Sequence, residues 1–321
     1  MRAVVLDEPG PIENLVIREL PIPAVPPDGV RIRVKAFGLN RSELHTRLGL
    51  GEGVTFPRVL GIEATGVIDG PGDSGLAVGQ KVATMMGGMG RVFDGGYAEY
   101  VSVPTRQVIP FESELPWSLL GALPETLQTA YGSLTVGLDL RPGQVLLVRG
   151  GTSSTGLAAI GVAREIGAIV LATTRSPSRA AALDDMGAIP VVDDGNVAAQ
   201  VRARYPHGVD AALELIGTPT LPDTLRATKV HGTVCFTGML SNEWIVREFY
   251  PIAYIPNGVR LTAYGGESSN LPAAVLQGHV DRIASGHIRP GPVQTYTLDQ
   301  IRDAHDDMEK NRAVGKQVIV L

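Results

Sequence analysis

The chain has 321 residues, enough for two domains with a sizeable buried core. Its 28 basic and 33 acidic residues leave a net charge of -5, so it offers no basic footprint for nucleic acid. A single cysteine, Cys235, excludes an intramolecular disulfide and any cysteine-rich metal site. No apolar run approaches the roughly 20 residues of a membrane span, and acidic residues and proline break the opening stretch early. A soluble, cytoplasmic protein without a membrane partner is expected.

Up to about residue 115, short apolar runs alternate with Gly/Pro/Asp clusters. Residues 30–36 (VRIRVKA) alternate apolar and basic side chains, as a half-buried strand does, and 65–68, 81–84 and 97–103 are further strands. This density of short strands predicts a small β-barrel-like domain. The rhythm changes after Pro116: residues 119–135 have helical spacing, and strands then alternate with helices. Strands are predicted at 145–148, 169–173, 189–192, 211–215, 233–237 and 260–263, with helices at 155–166 and 179–186. Six strands linked by helical crossovers predict a doubly wound parallel sheet. The tail carries a helix at 271–285, a strand at 293–297, a helix at 298–310 and a last strand at 317–321.

Residues 145–161 read VLLVRGGTSSTGLAAIG, a buried strand that turns through small residues directly into a helix. Such a turn aims free N–H groups and the positive end of the helix dipole at a phosphate. The spacing Gly150-x-x-Ser153-x-x-Gly156 loosens the usual G-x-G-x-x-G pattern, and a plain strand-to-helix turn is the competing reading. Gly150, Thr152, Ser153, Ser154, Thr155 and Gly156 are the candidate phosphate contacts. About 20 residues on, an NAD site would place Asp or Glu to hold the ribose 2′-hydroxyl. The chain instead has Thr174, Arg175 and Ser176, then Arg179. Two guanidinium groups and a hydroxyl suit a 2′-phosphate, so NADP(H) is the expected cofactor, against the reading of Arg175 and Arg179 as solvated surface charges.

Several segments together carry a family resemblance: Ala36-Phe-Gly-Leu-Asn-Arg-Ser-Glu, Leu60-Gly-Ile-Glu-Ala-Thr-Gly, Gly95-Gly-Tyr-Ala-Glu-Tyr, Gln128-Thr-Ala-Tyr, the loop at 150–156, and Gly315-Lys316-Gln-Val. In their order and spacing the chain resembles the medium-chain dehydrogenase/reductases, and among them the zinc-independent quinone oxidoreductase-like group. The resemblance implies an α/β protein: a GroES-like β-barrel domain from both chain ends (1–117 and 266–321) and a Rossmann NADP(H)-binding domain (118–265). Cofactor and substrate would meet in the cleft between them, and a homodimer would form through the edge strand near 260–263. By the same resemblance Asn40 and Thr129 lie near nicotinamide and substrate. Ile216, Gly217, Thr237, Gly238 and Lys316 are further cofactor contacts, with Gly238 permitting close backbone approach. Glu43 and Arg47, three and seven residues after Asn40, share its face if the segment is helical, where they position substrate or form a structural ion pair.

Zinc alcohol dehydrogenases place Cys and His where this chain has Asn40 and Ile62. A catalytic zinc needs about three protein ligands, so no metal is expected, and a pocket-lining or helix-surface role is expected for His45. Without a metal, the natural acceptors are those whose product anion is already delocalised. Quinones and other α,β-unsaturated carbonyl compounds fit, with hydride supplied by the nicotinamide. An enoyl-thioester reductase and a non-catalytic NADPH-binding protein are the alternatives.

Overall fold

In the strand Gly29–Gly38, buried Val30, Ile32, Val34 and Ala36 alternate with Arg31, Arg33 and Lys35. A strand sends successive side chains to opposite faces, so this pattern commits one face to the core and sets the register. The computed structural model describes residues 1–51, 53–313 and 315–321, and there this strand is the spine of a seven-stranded sheet. It pairs antiparallel with Glu63–Gly70, with Tyr100–Pro104 along its first half, and with the C-terminal strand Lys316–Val320 at its end. Across the sheet the order is Val293–Tyr296, Lys316–Val320, Gly29–Gly38, Glu63–Gly70, Lys81–Met85, Val108–Pro110. A second sheet joins the hairpin Arg2–Leu6 and Leu15–Glu19 to Arg58–Val59. Ile32, Phe37, Leu60, Ile68, Tyr97 and Ile319 lie in the shared core.

These strands and their helices form a discontinuous unit, Met1–Gln128 with Glu267–Leu321, and Thr129–Gly266 forms the other. The first stretch of the discontinuous unit ends at Gln128, beyond the expected 117. Helical spacing over 119–135 resolves into Trp117–Leu120, Pro124–Gly132 and a wider π-type turn, Ser133–Gly137. Pro124 lacks the N–H that would continue the earlier turn, so it starts a helix and cannot sit inside one. The N-terminal hairpin was not anticipated. Its strands are short, and their partner Arg58–Val59 lies about fifty residues away in sequence.

The continuous unit carries Val145–Arg149 (β1), Ile169–Thr174 (β2), Ile189–Val192 (β3), Val209–Glu214 (β4), Thr228–Phe236 (β5) and Arg260–Ala263 (β6). All pair in parallel, in the order β3-β2-β1-β4-β5-β6. This is the doubly wound arrangement predicted from the alternating strands and helices, in which ligand sites gather at the carboxyl ends of the strands where the order reverses. Leu146, Leu147 and Val148 of β1 are fully buried, as a central parallel strand requires. Among the described residues no helix is long and apolar enough to cross a membrane.

One buried histidine ties stability to pH. His305, on the helix Ile301–Glu309, is fully buried, with Nε2 3.2 Å from the Tyr97 hydroxyl, while Nδ1 has no hydrogen-bond partner among the described residues. Burial, and then the charge of Arg47, push its pKa from 6.5 down to about 3. The unfolded chain therefore binds the proton more readily than the folded one. The stability that depends on neutral His305 is complete above pH 6.5 and is lost as pH falls toward 3. Urea denaturation between these limits is expected to show the midpoint falling with pH. His305→Gln should lower stability by about 1–2 kcal/mol near neutrality but flatten that slope; an unchanged slope would refute the assignment.

Candidate active site

The strand Gly29–Gly38 passes into the short helix Arg41–Arg47, and Asn40 is the residue at the joint. The Glu43 carboxylate accepts the Asn40 N–H at 3.0 Å and the Ile62 N–H at 2.8 Å, closing the first helical turn and tying it to the residue before Glu63. Burial dominates the Glu43 pKa and raises it to about 7 against the N–H groups of Ile62 and of Glu43 itself and the charge of Lys316, with the Glu63 charge adding to the rise.

The Asn40 side chain faces a buried charge cluster. Lys316 Nζ donates to Asn40 Oδ1 at 2.5 Å and pairs with Glu63 Oε1 at 2.7 Å. Asn40 Nδ2 donates to the same Glu63 oxygen at 2.9 Å, and the Glu125 N–H donates to Glu63 Oε2 at 2.9 Å. Lys316 and Glu63 are almost wholly buried, and the Glu125 carboxylate lies 3.6 Å from Nζ. Burial opposes the Lys316 charge, yet Glu63 and Glu125 outweigh it and hold its pKa above the ordinary lysine value. Lys316 and Glu63 sit on strands flanking Gly38, and a Cβ at Gly38 would strike both side chains. Asn40 thus has its carbonyl and one amide hydrogen committed, leaving one N–H to offer a ligand.

The other residues expected here have different partners. The Arg47 guanidinium is buried, donates to the Gly10 carbonyl at 2.8 Å and pairs with Glu309, so it does not pair with Glu43. The Lys316 ammonium, expected at the cofactor, points inward to Asn40 and Glu63. His45 is buried in the helix Arg41–Arg47. Thr129 is half-buried on the helix Pro124–Gly132.

In the continuous unit, β1 leads through Gly150 and Gly151 into the helix Ser154–Ile166. Gly150 takes a left-handed backbone (φ 90°), and its N–H donates to Thr173 Oγ1 at 2.9 Å. The Gly151 N–H donates to the Thr173 carbonyl at 3.0 Å, which holds the turn against the end of β2. Ser153 caps the helix: its hydroxyl accepts the Gly156 N–H at 3.0 Å and donates to the Gly150 carbonyl at 2.8 Å. A side chain at Gly156 would collide with the carbonyls of Gly150 and Gly151. The Ser154 and Thr155 N–H groups open the helix without intrahelical partners, and Thr152 is half-buried beside them. This cradle fits a dinucleotide pyrophosphate.

Beyond β2, Arg175 and Arg179 are exposed, and their guanidinium groups have no partner among the described residues. The Ser176 N–H donates to Thr174 Oγ1 at 3.2 Å, shaping the loop that carries them. At the end of β4 the Ile216 and Gly217 N–H groups donate to Glu214 Oε1 at 2.7 and 3.1 Å, so this turn is held by its own carboxylate. Thr237 Oγ1 lies 3.0 Å from Ser133 Oγ. Gly238 lacks a side chain because the Leu215 backbone occupies the place of its Cβ, a reason distinct from the expected approach of a cofactor.

Sequence reasoning passed over Arg149 as the last residue of an apolar run. It is 1% exposed and grips Asp193 with two bonds (2.7 and 3.0 Å) and Asp223 with a third (2.8 Å). Asp223 in turn accepts the Val197 N–H at 2.9 Å. A charge closing the buried run VLLV was the available signal, since a buried arginine needs a carboxylate partner.

The family description "Zinc-binding dehydrogenase" matches residues 186–319, and "Alcohol dehydrogenase GroES-like domain" matches residues 26–113. Over 329 residues the chain is 30% identical to the spectinabilin polyketide synthase system protein NorB of Streptomyces orinoci. That match covers 97% of this chain but only 14% of the synthase. The chain is 27% identical over 333 residues to a quinone oxidoreductase of Lama guanicoe, covering 100% of this chain and 98% of that protein. A solved NAD-dependent alcohol dehydrogenase superposes with a TM-score of 0.88 at 27% identity, with all of both chains covered.

The first of those descriptions raises the question of zinc. Around Asn40 and Glu63 the residues do not fit it. Ile62 has no donor atom, Glu63 is saturated by Lys316, Asn40 and the Glu125 amide, and an ammonium group sits among the carboxylates. No other group of three His, Cys, Asp or Glu among the described residues is arranged to hold a metal. Removing the ammonium strands a buried carboxylate, so Lys316→Met is expected to cost about 3–5 kcal/mol in urea unfolding. Adding Glu63→Gln should recover part of that loss; no recovery would mean that the pair does not carry it.

Proposed function

Because the chain belongs to the medium-chain dehydrogenase/reductase superfamily, in its quinone oxidoreductase-like group, and is thereby a nicotinamide-dependent oxidoreductase, we propose that it reduces quinones or other α,β-unsaturated carbonyl compounds with NADPH and without a metal. The observation that carries the cofactor choice is the pair Arg175 and Arg179, exposed after β2 and unpaired among the described residues, with the glycine turn hydrogen-bonded to the end of that strand. Two unpaired guanidinium groups at that position favour a 2′-phosphate, where a carboxylate would favour a 2′-hydroxyl. The Ser154 and Thr155 N–H groups would hold the pyrophosphate, with Gly150 and Gly151 leaving room for its close approach, and Thr174, Arg175, Ser176 and Arg179 would hold the adenosine ribose with its phosphate. The bound dihydronicotinamide supplies the hydride.

The protein's own part is orientation and charge. Asn40, fixed by Lys316 and Glu63, offers one amide hydrogen to a substrate oxygen. Such a donor stabilises an anion best when that anion is already delocalised, as in a hydroquinone or an enolate. The choice of acceptor rests on the donor set at Glu63, which a lysine ammonium neutralises where a zinc ion would need open ligands. A second reading, reduction of an enoyl thioester, takes its support from the match to a stretch of a polyketide synthase. A homodimer is part of the proposal. β6 pairs only with β5 among the described residues, and the segment before it leaves Ile245, Phe249, Tyr250 and Ile252 exposed.

Oxidation of NADPH and NADH by chelator-treated protein, with a panel of quinones, enones and an enoyl thioester, tests these readings. Turnover is expected with quinones or enones, and faster with NADPH. Turnover with the thioester alone would shift the substrate class, and no turnover with any acceptor would leave only NADPH binding. Arg175→Ala with Arg179→Ala is expected to weaken NADPH about 100-fold or more, as two charge-assisted contacts are lost. NADH binding should stay the same, and equal loss for both cofactors would refute the assignment.

A further inference from the structure

A chain that selects NADPH must do more than supply arginines: it must also keep carboxylates away from them. The loop 175–179 after β2 has none, yet the fold brings one there. Asp193 follows β3, and its N–H donates to the Thr174 carbonyl at 2.8 Å. Thr174 pairs with Val192, so Arg175 leaves β2 alongside Asp193. A free carboxylate at that place would do two things. It would accept bonds from a ribose 2′-hydroxyl, as in an NAD site, and it would neutralise the arginine meant for a 2′-phosphate.

Neither happens, because the carboxylate is already occupied. β2 lies between β1 and β3, and Arg149 at the end of β1 reaches across the end of β2 to Asp193 on its far side. Both Asp193 oxygens are taken, and the Asp193 side chain is 11% exposed. Arg149 is itself fixed from below by Asp223, which also caps the helix Val197–Arg204, so the guanidinium cannot swing away. Arg175, next to a carboxylate in register, is left without a partner among the described residues.

We infer that Arg149 is a specificity-determining positioning residue: by clamping Asp193 it withholds a carboxylate from the ribose position and keeps Arg175 unpaired for a 2′-phosphate. The inference rests on the NADPH reading and adds its structural cause. Arg149 touches no cofactor atom in this account; it acts through Asp193.

Fluorescence titration of NADPH and NADH gives the test, as the ratio of the two dissociation constants. In Arg149→Gln, verified as folded by its thermal transition, the preference for NADPH is expected to fall about tenfold or more, because the unmasked Asp193 carboxylate then competes for Arg175 and accepts from a ribose 2′-hydroxyl. Arg149→Gln with Asp193→Asn is expected to restore it. Asp193→Asn alone should leave the ratio within about threefold, since the carboxylate is already masked. A purely structural Arg149 would weaken both cofactors alike and would not be rescued by Asp193→Asn, and that result overturns the inference. So does a large rise in NADPH preference on Asp193→Asn alone. Should Arg149→Gln fail to fold, Arg149→Lys replaces it; one ammonium cannot hold both carboxylates, so the same direction is expected at smaller size, and an unchanged ratio counts against the clamp. Wild-type protein with no preference for NADPH would refute the cofactor reading itself, whereas wild-type preference that survives in the Arg149 variants would refute the clamp alone.

Discussion

A buried ion pair laid across the end of a strand is the constraint on which each unit depends. In the discontinuous unit, Glu63 and Lys316 stand on the two strands flanking Gly38 and meet over it. In the continuous unit, Arg149 and Asp193 stand on either side of β2 and meet across its end. Taking such charges out of water costs several kcal/mol each, so the pairs persist only with every remaining polar atom engaged. That condition explains their surroundings. Gly38 has no side chain because the pair needs the space, Asn40 and the Glu125 amide complete the bonds of Glu63, and Asp223 completes those of Arg149.

The same condition underlies the proposed chemistry. Asn40 is held at both ends of its amide, so its remaining hydrogen has a fixed direction, and the donor role proposed for it rests on that. Glu43 is committed to two backbone amides, and burial moves its pKa to about 7. It steadies the residue that bears the donor. In the continuous unit the turn after β1 is braced by Thr173 and Ser153, which engage the Gly150 and Gly156 N–H groups.

Much of this was legible in the chain. The run VLLVRGGTSSTG announced a buried strand, a tight turn and a helix, and the loop after β2 showed arginines where a carboxylate was possible. Residues 30–36 declared their strand by alternation, and residues 260–263 coincide with β6. The partners of the functional side chains were not legible. Glu43 and Arg47 lie four apart on one helix, yet each bonds to a segment distant in sequence, Ile62 for one and Glu309 for the other. Lys316 follows a glycine near the end of the chain in a segment that resembles a cofactor contact, and its ammonium is buried against Glu63 in the discontinuous unit. Arg149 looked like the end of an apolar strand, because the carboxylates that justify it are 44 and 74 residues further on.

Local pattern therefore determined what depends on neighbouring residues: the period of the strands and helices, and the small residues of the turn after β1. The strand order decided the rest. Only when β1 and β3 lie on either side of β2 do Arg149 and Asp193 meet, and only when the C-terminal strand pairs beside Gly29–Gly38 does Lys316 reach Glu63. The physical reason is that a charge can be buried only beside its partner, and which residues become partners is a property of strand order and not of sequence distance.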